Sequence, residues 1–217
     1  MPTTIDARAL LFDMDGTLID SGAAVARIWT IFATRFGLDI DELLRTSHGV
    51  QMIQTIRANA PEGADAEAIA RELGSLELAD SDDILAIPGA PELFGALGSA
   101  PHALVTSASR ELATVRMAQA GLALPSVVVA AEDVTRGKPE PDPYLVAAER
   151  LGIAPADCVV FEDADAGIRS GLAAGMRVVV VGELDSPVTA GLPRIEDYLG
   201  VTAAIGDGIR LTLPGDA

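Results

Sequence analysis

The sequence is poor in the residues that build disulfide-linked or zinc-stabilised scaffolds. Its 217 residues include one cysteine, Cys158, and two histidines. A single cysteine excludes an internal disulfide, and this set cannot build a structural zinc site. A chain of this length buries a sizeable hydrophobic core without such crosslinks. Cys158 lies in an apolar run, so we expect an inert, buried thiol in a reducing compartment.

Long apolar segments and an excess of basic residues are also absent. No segment approaches the roughly 20 apolar residues of a membrane-spanning helix, and the first residues lack the basic and apolar regions of a signal peptide. The 15 basic residues stand against 32 acidic ones, a net charge of −17 that repels nucleic acids and anionic membranes. We therefore expect a cytoplasmic monomer that binds neither nucleic acid nor membrane.

Short apolar runs are the most regular feature that the sequence does contain. Each is typical of a buried strand, and they lie at residues 10–12, 103–105, 127–129, 159–161 and 178–181. Helical periodicity separates several of them, and such an alternation predicts a mostly parallel sheet with helices on both faces. The predicted fold class is therefore α/β, with a doubly wound, Rossmann-like core.

The stretch from residue 18 to residue 85 interrupts this alternation. It contains helical patterns and no convincing strand, with the helices expected at residues 24–36, 40–44, 51–59 and 66–78. We predict a core domain of residues 1–17 and 86–217, and an inserted helical cap domain of residues 18–85. The linkers at residues 18–21 and 80–88 are the expected hinges, and residues 199–213 are a candidate terminal strand or hairpin.

Polar residues follow the predicted strands where the strands end. In a parallel sheet these ends share one edge, where ligands bind, and the polar residues there include Asp13, Asp15, Ser107, Lys138, Glu162 and Asp163. Each one alone also fits a turn or helix-capping role. Together, clustered carboxylates require a cation and favour Mg²⁺. A phosphoryl group could be bound by Lys138, the only lysine of the chain, and by the hydroxyl and backbone amide of Ser107. The set therefore predicts a phosphohydrolase.

Four segments resemble, in order, the motifs of the haloacid dehalogenase superfamily. They are Asp13-Met14-Asp15-Gly16-Thr17-Leu18, Thr106-Ser107, Gly137-Lys138-Pro139 and Glu162-Asp163-Ala164-Asp165-Ala166-Gly167. By that resemblance, Asp13 is the nucleophile that forms an aspartyl-phosphate and Asp15 is the general acid/base. Asp13, the backbone carbonyl of Asp15 and Asp163 would hold Mg²⁺, with Glu162 close to the metal.

The resemblance also implies a phosphate site and a substrate class. Ser107, Ala108 and Lys138 would bind the phosphoryl group. The segment Ser47-His48-Gly49 of the cap and the segments around Ser107 and Lys138 are similar to those of the sugar and polyol phosphatases. The implied substrate is a small sugar or polyol phosphate, contacted in the cap by His48, Gly49 and Gln51.

Several alternatives stay open at this point. His48 is either a group that binds sugar hydroxyls or a helix-terminal residue with a structural partner, and Arg110 either reaches the phosphate or stabilises its own helix. A sugar-phosphate mutase similar to β-phosphoglucomutase would keep every core motif and bind a second phosphate with basic cap residues. The candidates for these residues are Arg27, Arg35, Arg45, Arg57 and Arg71. A binding module without turnover is the alternative from another functional class.

Overall fold

The computed structural model describes residues 2–80 and 83–215 of the chain. The strands are β1 (Thr3–Ala7), β2 (Ala9–Phe12), β3 (Ile19–Asp20), β4 (Leu85–Ala86), β5 (His102–Val105), β6 (Val127–Val129), β7 (Cys158–Glu162), β8 (Arg177–Val181), β9 (Arg194–Ile195), β10 (Thr202–Ile205) and β11 (Ile209–Leu213). The α-helices are α1 (Gly22–Phe36), α2 (Ile40–Ser47), α3 (Met52–Asn59), α4 (Ala66–Ala79), α5 (Ala90–Leu97), α6 (Arg110–Gln119), α7 (Asp142–Leu151) and α8 (Asp165–Ala173). Within these residues, no helix combines the length and the apolar character needed to cross a membrane.

A six-stranded parallel sheet forms the centre of the fold. Its strand order is β6-β5-β2-β7-β8-β9, and every neighbouring pair is parallel. The chain moves outward from β2 through β5 to β6 and then returns to the other side of β2 with β7. The strand order therefore reverses at β2, which is where such sheets bind ligands. The doubly wound α/β fold predicted from the sequence is confirmed.

Both faces of this sheet are covered by apolar side chains, because alternate residues of each strand point to opposite faces. Leu10 and Phe12 of β2 belong to one buried cluster, together with Leu93 of α5 and Met117 of α6. Ala9 and Leu11 of the same strand belong to a second cluster on the other face, with α7 and α8. The predicted buried thiol of Cys158 lies in this second cluster and is fully buried.

Helices α1 to α4 form the insertion that the sequence predicts, and we call them the cap helices. They pack around a hydrophobic cluster of their own, which includes Trp29, Phe32, Leu43 and Leu73. Aspartates cap two of them: Asp39 accepts from two backbone N–H groups at the start of α2, and Asp65 accepts from the N–H of Ala68 at the start of α4. All four helices are confirmed, whereas the division into two domains at residues 18 and 85 stays a prediction.

The two linkers of the cap helices pair with each other. Strands β3 and β4 form an antiparallel ladder in which Ile19 lies opposite Ala86 and Asp20 opposite Leu85. The expectation of no strand between residues 18 and 85 is therefore wrong at both ends, because a two-residue strand is too short to give an alternating pattern. Residues 81 and 82, within the second predicted hinge, lie outside the described residues.

The terminal segments form a second sheet. The hairpin of β10 and β11 confirms the candidate hairpin at residues 199–213, and β11 pairs further with β1. Strands β1 and β9 and helix α5 were not predicted from the sequence. The alternation in β1 is incomplete, since three of its five residues are exposed, and β9 has only two residues.

Candidate active site

A buried lysine joins two of the strand-end carboxylates. Lys138 lies in the loop before α7, and its side chain is 1% exposed. Its Nζ donates to Oδ1 of Asp13 at 2.5 Å, to Oε1 of Glu162 at 2.6 Å and to the carbonyl oxygen of Val105 at 3.0 Å. Burial lowers the pKa of Lys138, but the attraction of Asp13 and Glu162 outweighs burial and raises this pKa above its ordinary value. The lysine is therefore a fixed cation at this sheet edge.

Glu162, the last residue of β7, is held by four donors. Besides Lys138, the hydroxyl of Tyr144 donates to its Oε1 at 2.8 Å. The backbone N–H groups of Asp163 and Ala164 donate to its Oε2. Glu162 is fully buried, and a buried carboxylate needs such partners. Tyr144 was not predicted from the sequence, because its position on the buried side of α7 resembles that of an ordinary core residue.

Asp13, Glu162 and Asp163 form an acidic cluster that could hold a metal ion. One carboxylate oxygen of each lies within 4.8 Å of the others. Burial raises the pKa of Asp13 well above its ordinary value, Glu162 and Asp163 raise it further, and Lys138 opposes them. The ammonium of Lys138 bonds two of these three carboxylates, and its one positive charge does not balance them. A divalent cation with oxygen ligands would compensate the remaining negative charge, so the donor set fits Mg²⁺.

Asp163 is approached closely by the loop that follows β2 and by the cap helices. The hydroxyl of Thr17 donates to its Oδ1 at 2.9 Å. A Cβ at Gly16 would lie 1.9 Å from Oδ2 of Asp163, and Gly16 has a φ of +84°, so no larger residue fits there. From the end of α2, Nε2 of His48 lies 2.9 Å from the same Oδ2.

His48 therefore has a carboxylate partner while it also lines the cavity described below. The hydrogen bond to Asp163 raises the pKa of His48 to about 9, against the opposing effect of burial. Its side chain is still 52% exposed. The cap helices consequently bring a positive charge to the acidic cluster, and the imidazole keeps an open side that faces solvent.

Asp15 lies two residues after Asp13 and has different partners. Its Oδ1 accepts from the hydroxyl of Ser21 at 2.6 Å and from Nη1 of Arg116 at 2.9 Å. Nη2 of the same arginine donates to Oε1 of Glu77, on cap helix α4, at 3.0 Å. Neither Arg116 nor Glu77 was predicted from the sequence. One signal was available: Arg116 follows Leu112 by four residues and so shares its buried helix face, where a charge is unusual.

The residues expected at the phosphate and at the substrate lie at the contact between the cap helices and the sheet. The hydroxyl of Ser107 donates to the carbonyl oxygen of Gly49 at 2.7 Å. The side-chain amide of Gln51 donates to the carbonyl oxygen of Ala131 at 3.0 Å. The N–H of Ala108 donates to the hydroxyl of Thr106 instead of standing free.

A cavity of about 520 Å³ lies between the cap helices and this sheet edge. Small-molecule sites have volumes of roughly 300–1,000 Å³. The polar residues that line it are Asp13, Asp15, Asp20, Ser21, Ser47, His48, Gln51, Glu77, Thr106, Ser107, Ser109, Arg116 and Asp163. The cap helices add an apolar wall that includes Val25, Trp29 and Ile53. The cavity wall therefore combines charged side chains of the sheet edge with apolar side chains of the cap helices.

The arginines considered for a second phosphate lie elsewhere. None of Arg27, Arg35, Arg45, Arg57 and Arg71 lines the cavity, and the first four form ion pairs with carboxylates of the chain. Among the described residues of the cavity wall, Arg116 is the only arginine or lysine. Arg110 donates to Val128 and Asp133, which supports its structural role.

Comparisons with known proteins agree with this geometry. The family model of the haloacid dehalogenase-like hydrolases matches residues 7–175. The chain belongs to this family. It is 47% identical over 178 residues to hexitol phosphatase A of Escherichia coli (strain K12), covering 80% of this chain and 82% of the relative.

More distant relatives extend the comparison. The chain is 33% identical over 189 residues to glycerol-1-phosphate phosphohydrolase 2 of Saccharomyces cerevisiae, covering 82% of this chain and 76% of the relative. A hydrolase from Pseudomonas syringae with a crystal structure superposes with a TM-score of 0.77 at 25% identity, over 88% of this chain and 94% of that one. The resemblance to the family and to its sugar phosphatases, stated from the motifs, is confirmed.

Proposed function

We propose that this protein is a Mg²⁺-dependent phosphatase that hydrolyses small sugar or polyol phosphates through an aspartyl-phosphate on Asp13. The observation that carries the proposal is the arrangement of Asp13, Lys138 and the acidic cluster at the sheet edge, beside a cavity that Asp13 and Asp163 line. The relatives named for hexitol and glycerol-1-phosphate hydrolysis support the substrate class.

In the first step, a carboxylate oxygen of Asp13 attacks the phosphorus of the substrate. The bond from phosphorus to the ester oxygen breaks while the bond to Asp13 forms. Asp15 gives its proton to the ester oxygen, and the sugar or polyol leaves as a neutral alcohol. Lys138 lowers the repulsion between the attacking carboxylate and the phosphoryl group, because its ammonium is fixed beside Asp13.

In the second step, Asp15 is a carboxylate and accepts a proton from a water molecule. That water attacks the phosphorus, the bond to Asp13 breaks, and inorganic phosphate leaves. Both aspartates line the same cavity, so one substrate reaches both. The hydroxyl of Ser107 would exchange its bond to Gly49 for one to the phosphoryl group, and the backbone N–H of Ala108 would likewise exchange its bond to Thr106.

Asp13, Asp163 and the backbone carbonyl of Asp15 would hold the Mg²⁺, and Glu162 completes the acidic cluster and positions Lys138. When bound, the ion would neutralise negative charge on the phosphoryl oxygens. The cap residues His48, Gly49 and Gln51 close over the phosphate end of the cavity, where they would contact the substrate.

Hydrolysis is favoured over a mutase reaction by the composition of the cavity wall. A mutase of this type binds a second phosphate, which requires a free cation at the far end of the cavity. Arg116 is the only arginine or lysine among the described wall residues, and two carboxylates already pair with it. The far end therefore suits a neutral sugar or polyol chain.

The test is phosphate release from hexitol, hexose, pentose and glycerol phosphates, with and without Mg²⁺. We expect Mg²⁺-dependent release that Asp13→Asn abolishes and that the exposed control Asp157→Asn leaves unchanged. Interconversion of glucose 1-phosphate and glucose 6-phosphate without net release would replace the phosphatase by the mutase. Tight phosphate binding with neither reaction would indicate the non-catalytic module.

A further inference from the structure

Arg116 is buried between two carboxylates that belong to different parts of the cavity wall. Its side chain is 2% exposed. It projects from α6, pairs with Asp15 on the loop after β2 through Nη1, and pairs with Glu77 on cap helix α4 through Nη2. No other charged side chain of the described cavity wall bonds both to Asp15 and to a cap helix.

We propose that Arg116 is a positioning residue that orients the general acid/base Asp15, and that Glu77 holds Arg116 in place when the cap helices are seated on the sheet. This inference rests on the proposed function, since it assigns Asp15 the proton transfers. It adds to that function that the orientation of Asp15 depends on whether the cap helices are seated on the sheet.

The hydrogen bonds of Asp15 explain how the orientation is set. Ser21 and Arg116 both donate to Oδ1, so two donors from separate elements fix this oxygen. Neither donates to Oδ2, and this oxygen is left to exchange a proton with the substrate or water. A carboxylate fixed at one oxygen and open at the other is suited to general acid/base work, because efficiency depends on its position relative to the reacting atom.

The contact with Glu77 links this orientation to the cap helices. Glu77 is on α4, whereas Asp15 and Arg116 are on the sheet side, so the Glu77 contact exists only while α4 is seated. The side chain of Glu77 is 13% exposed, and burial raises its pKa, with Arg116 opposing. Seating of the cap would therefore complete the set of partners that hold the guanidinium still.

A role for Arg116 as a binding site for a second phosphate is disfavoured by the same contacts. Its single positive charge already faces two carboxylates. An anion in this place would meet a region with a net negative charge.

The experiment compares two substrates that differ in their need for a proton. An alkyl phosphate such as a hexitol phosphate releases a strongly basic alkoxide unless Asp15 protonates it, whereas p-nitrophenyl phosphate releases a weakly basic phenolate. The readout is the ratio of kcat/KM for the alkyl phosphate to kcat/KM for the aryl phosphate. Because kcat/KM reports the steps up to the first irreversible one, it isolates the release of the alcohol.

Arg116→Met removes the guanidinium, and we expect this ratio to fall by about 10-fold or more, part of the 10²–10⁴-fold that general acid catalysis supplies. Glu77→Met keeps the contact between Arg116 and Asp15, so we expect a smaller fall in the same direction. Arg110→Met is the matched control on the same helix, because its contacts are with Val128 and Asp133, and it should leave the ratio unchanged.

If Arg116→Met lowers kcat/KM equally for the alkyl and the aryl phosphate, Arg116 has a purely structural role and the inference is overturned. If Arg116→Met does not fold, as judged by circular dichroism, Glu77→Met decides: a lowered ratio supports the inference and an unchanged ratio overturns it. Wild-type protein that hydrolyses neither substrate would instead refute the proposed function, and the role of Arg116 would fall with it.

Discussion

Lys138 donates from Nζ to Oδ1 of Asp13 at 2.5 Å, although 125 positions separate the two residues. The contact exists because the loop carrying Lys138 and the end of β2 reach the same edge of the sheet. Glu162 shares the same ammonium. The charge balance of the site thus depends on one side chain, and its removal has consequences for both stability and catalysis.

The substitution Lys138→Met should lower both the stability of the fold and the catalytic activity. It leaves Asp13 and Glu162 buried without their cation, and breaking such a pair costs about 3–5 kcal/mol. Loss of a group that stabilises charge in the transition state should also lower kcat/KM by roughly 100-fold or more. Urea unfolding and phosphate release measure the two effects.

The control is Arg136→Met. Arg136 is an exposed arginine two residues earlier in the chain that pairs with Asp142 on the surface, so we expect its loss to lower the free energy of unfolding by about 1 kcal/mol or less. Wild-type stability and activity in Lys138→Met would refute this account of the site.

Two buried tyrosines should differ in how loss of their hydroxyl groups changes the free energy of unfolding. The hydroxyl of Tyr144 donates to Glu162, and a hydrogen bond to a charged group contributes about 1.5–3 kcal/mol. The hydroxyl of Tyr198 is buried with no partner among the described residues. We therefore expect Tyr144→Phe to lower the free energy of unfolding by about 1.5–3 kcal/mol and Tyr198→Phe to leave it unchanged or raise it. Urea unfolding of both variants under the same conditions makes the comparison, and equal losses would contradict it.

The close approach of Gly49 to Ala164 gives a test of how the cap helices seat on the sheet. Gly49 has a φ of +75°, and a Cβ there would lie 2.7 Å from Cβ of Ala164. Gly63, in the turn before α4, has a φ of +85°, and a Cβ there would have no neighbouring atom within 4 Å. Alanine at either position costs about 1–2 kcal/mol of backbone strain, but only Gly49→Ala adds the clash.

We therefore expect Gly49→Ala to raise KM and lower kcat, together by about 10-fold or more, since closure positions the reacting groups. Gly63→Ala should lose stability alone and keep kcat/KM near the wild-type value. Steady-state kinetics on a polyol phosphate and thermal unfolding separate the two effects. Equal kinetic losses in both variants would mean that strain, rather than the contact with Ala164, is responsible.

The parts of the fold that the sequence predicted are those that depend on local pattern. Runs such as Val178 to Val181 are apolar on both faces because β8 is buried on both faces. Asp13 and Lys138 could be assigned to one site because parallel strands end at one edge. Neither inference requires knowledge of which side chains touch.

The parts that the sequence did not predict depend on tertiary contacts. Arg116 and Glu77 are 39 positions apart and meet only because α6 and α4 pack together. Tyr144 was indistinguishable from a core residue until its hydroxyl was placed beside Glu162. The ladder of β3 and β4 has two residues on each strand, which is below the length at which alternation is visible.

The acidic cluster leads to a prediction about metal binding that does not require turnover. Asp13, Glu162 and Asp163 place three carboxylates close together, and the ammonium of Lys138 bonds only two of them, so a divalent cation should bind the folded chain and not the unfolded one. Binding of that kind stabilises the fold by about 2.7 kcal/mol when the ion is at 100 times its Kd. We expect excess Mg²⁺ to raise the Tm of the wild-type protein, and EDTA to reverse the rise.

Asp163→Asn should abolish most of this Mg²⁺-dependent rise in Tm, because the amide oxygen is neutral and a weaker ligand for a hard cation. Asp157→Asn removes an exposed carboxylate outside the cluster and should keep the full response. The same series in a monovalent salt of equal ionic strength separates site binding from screening of the net charge of −17. If Asp163→Asn and Asp157→Asn respond to Mg²⁺ equally, the stabilisation is general screening, and Asp163 is not a metal ligand.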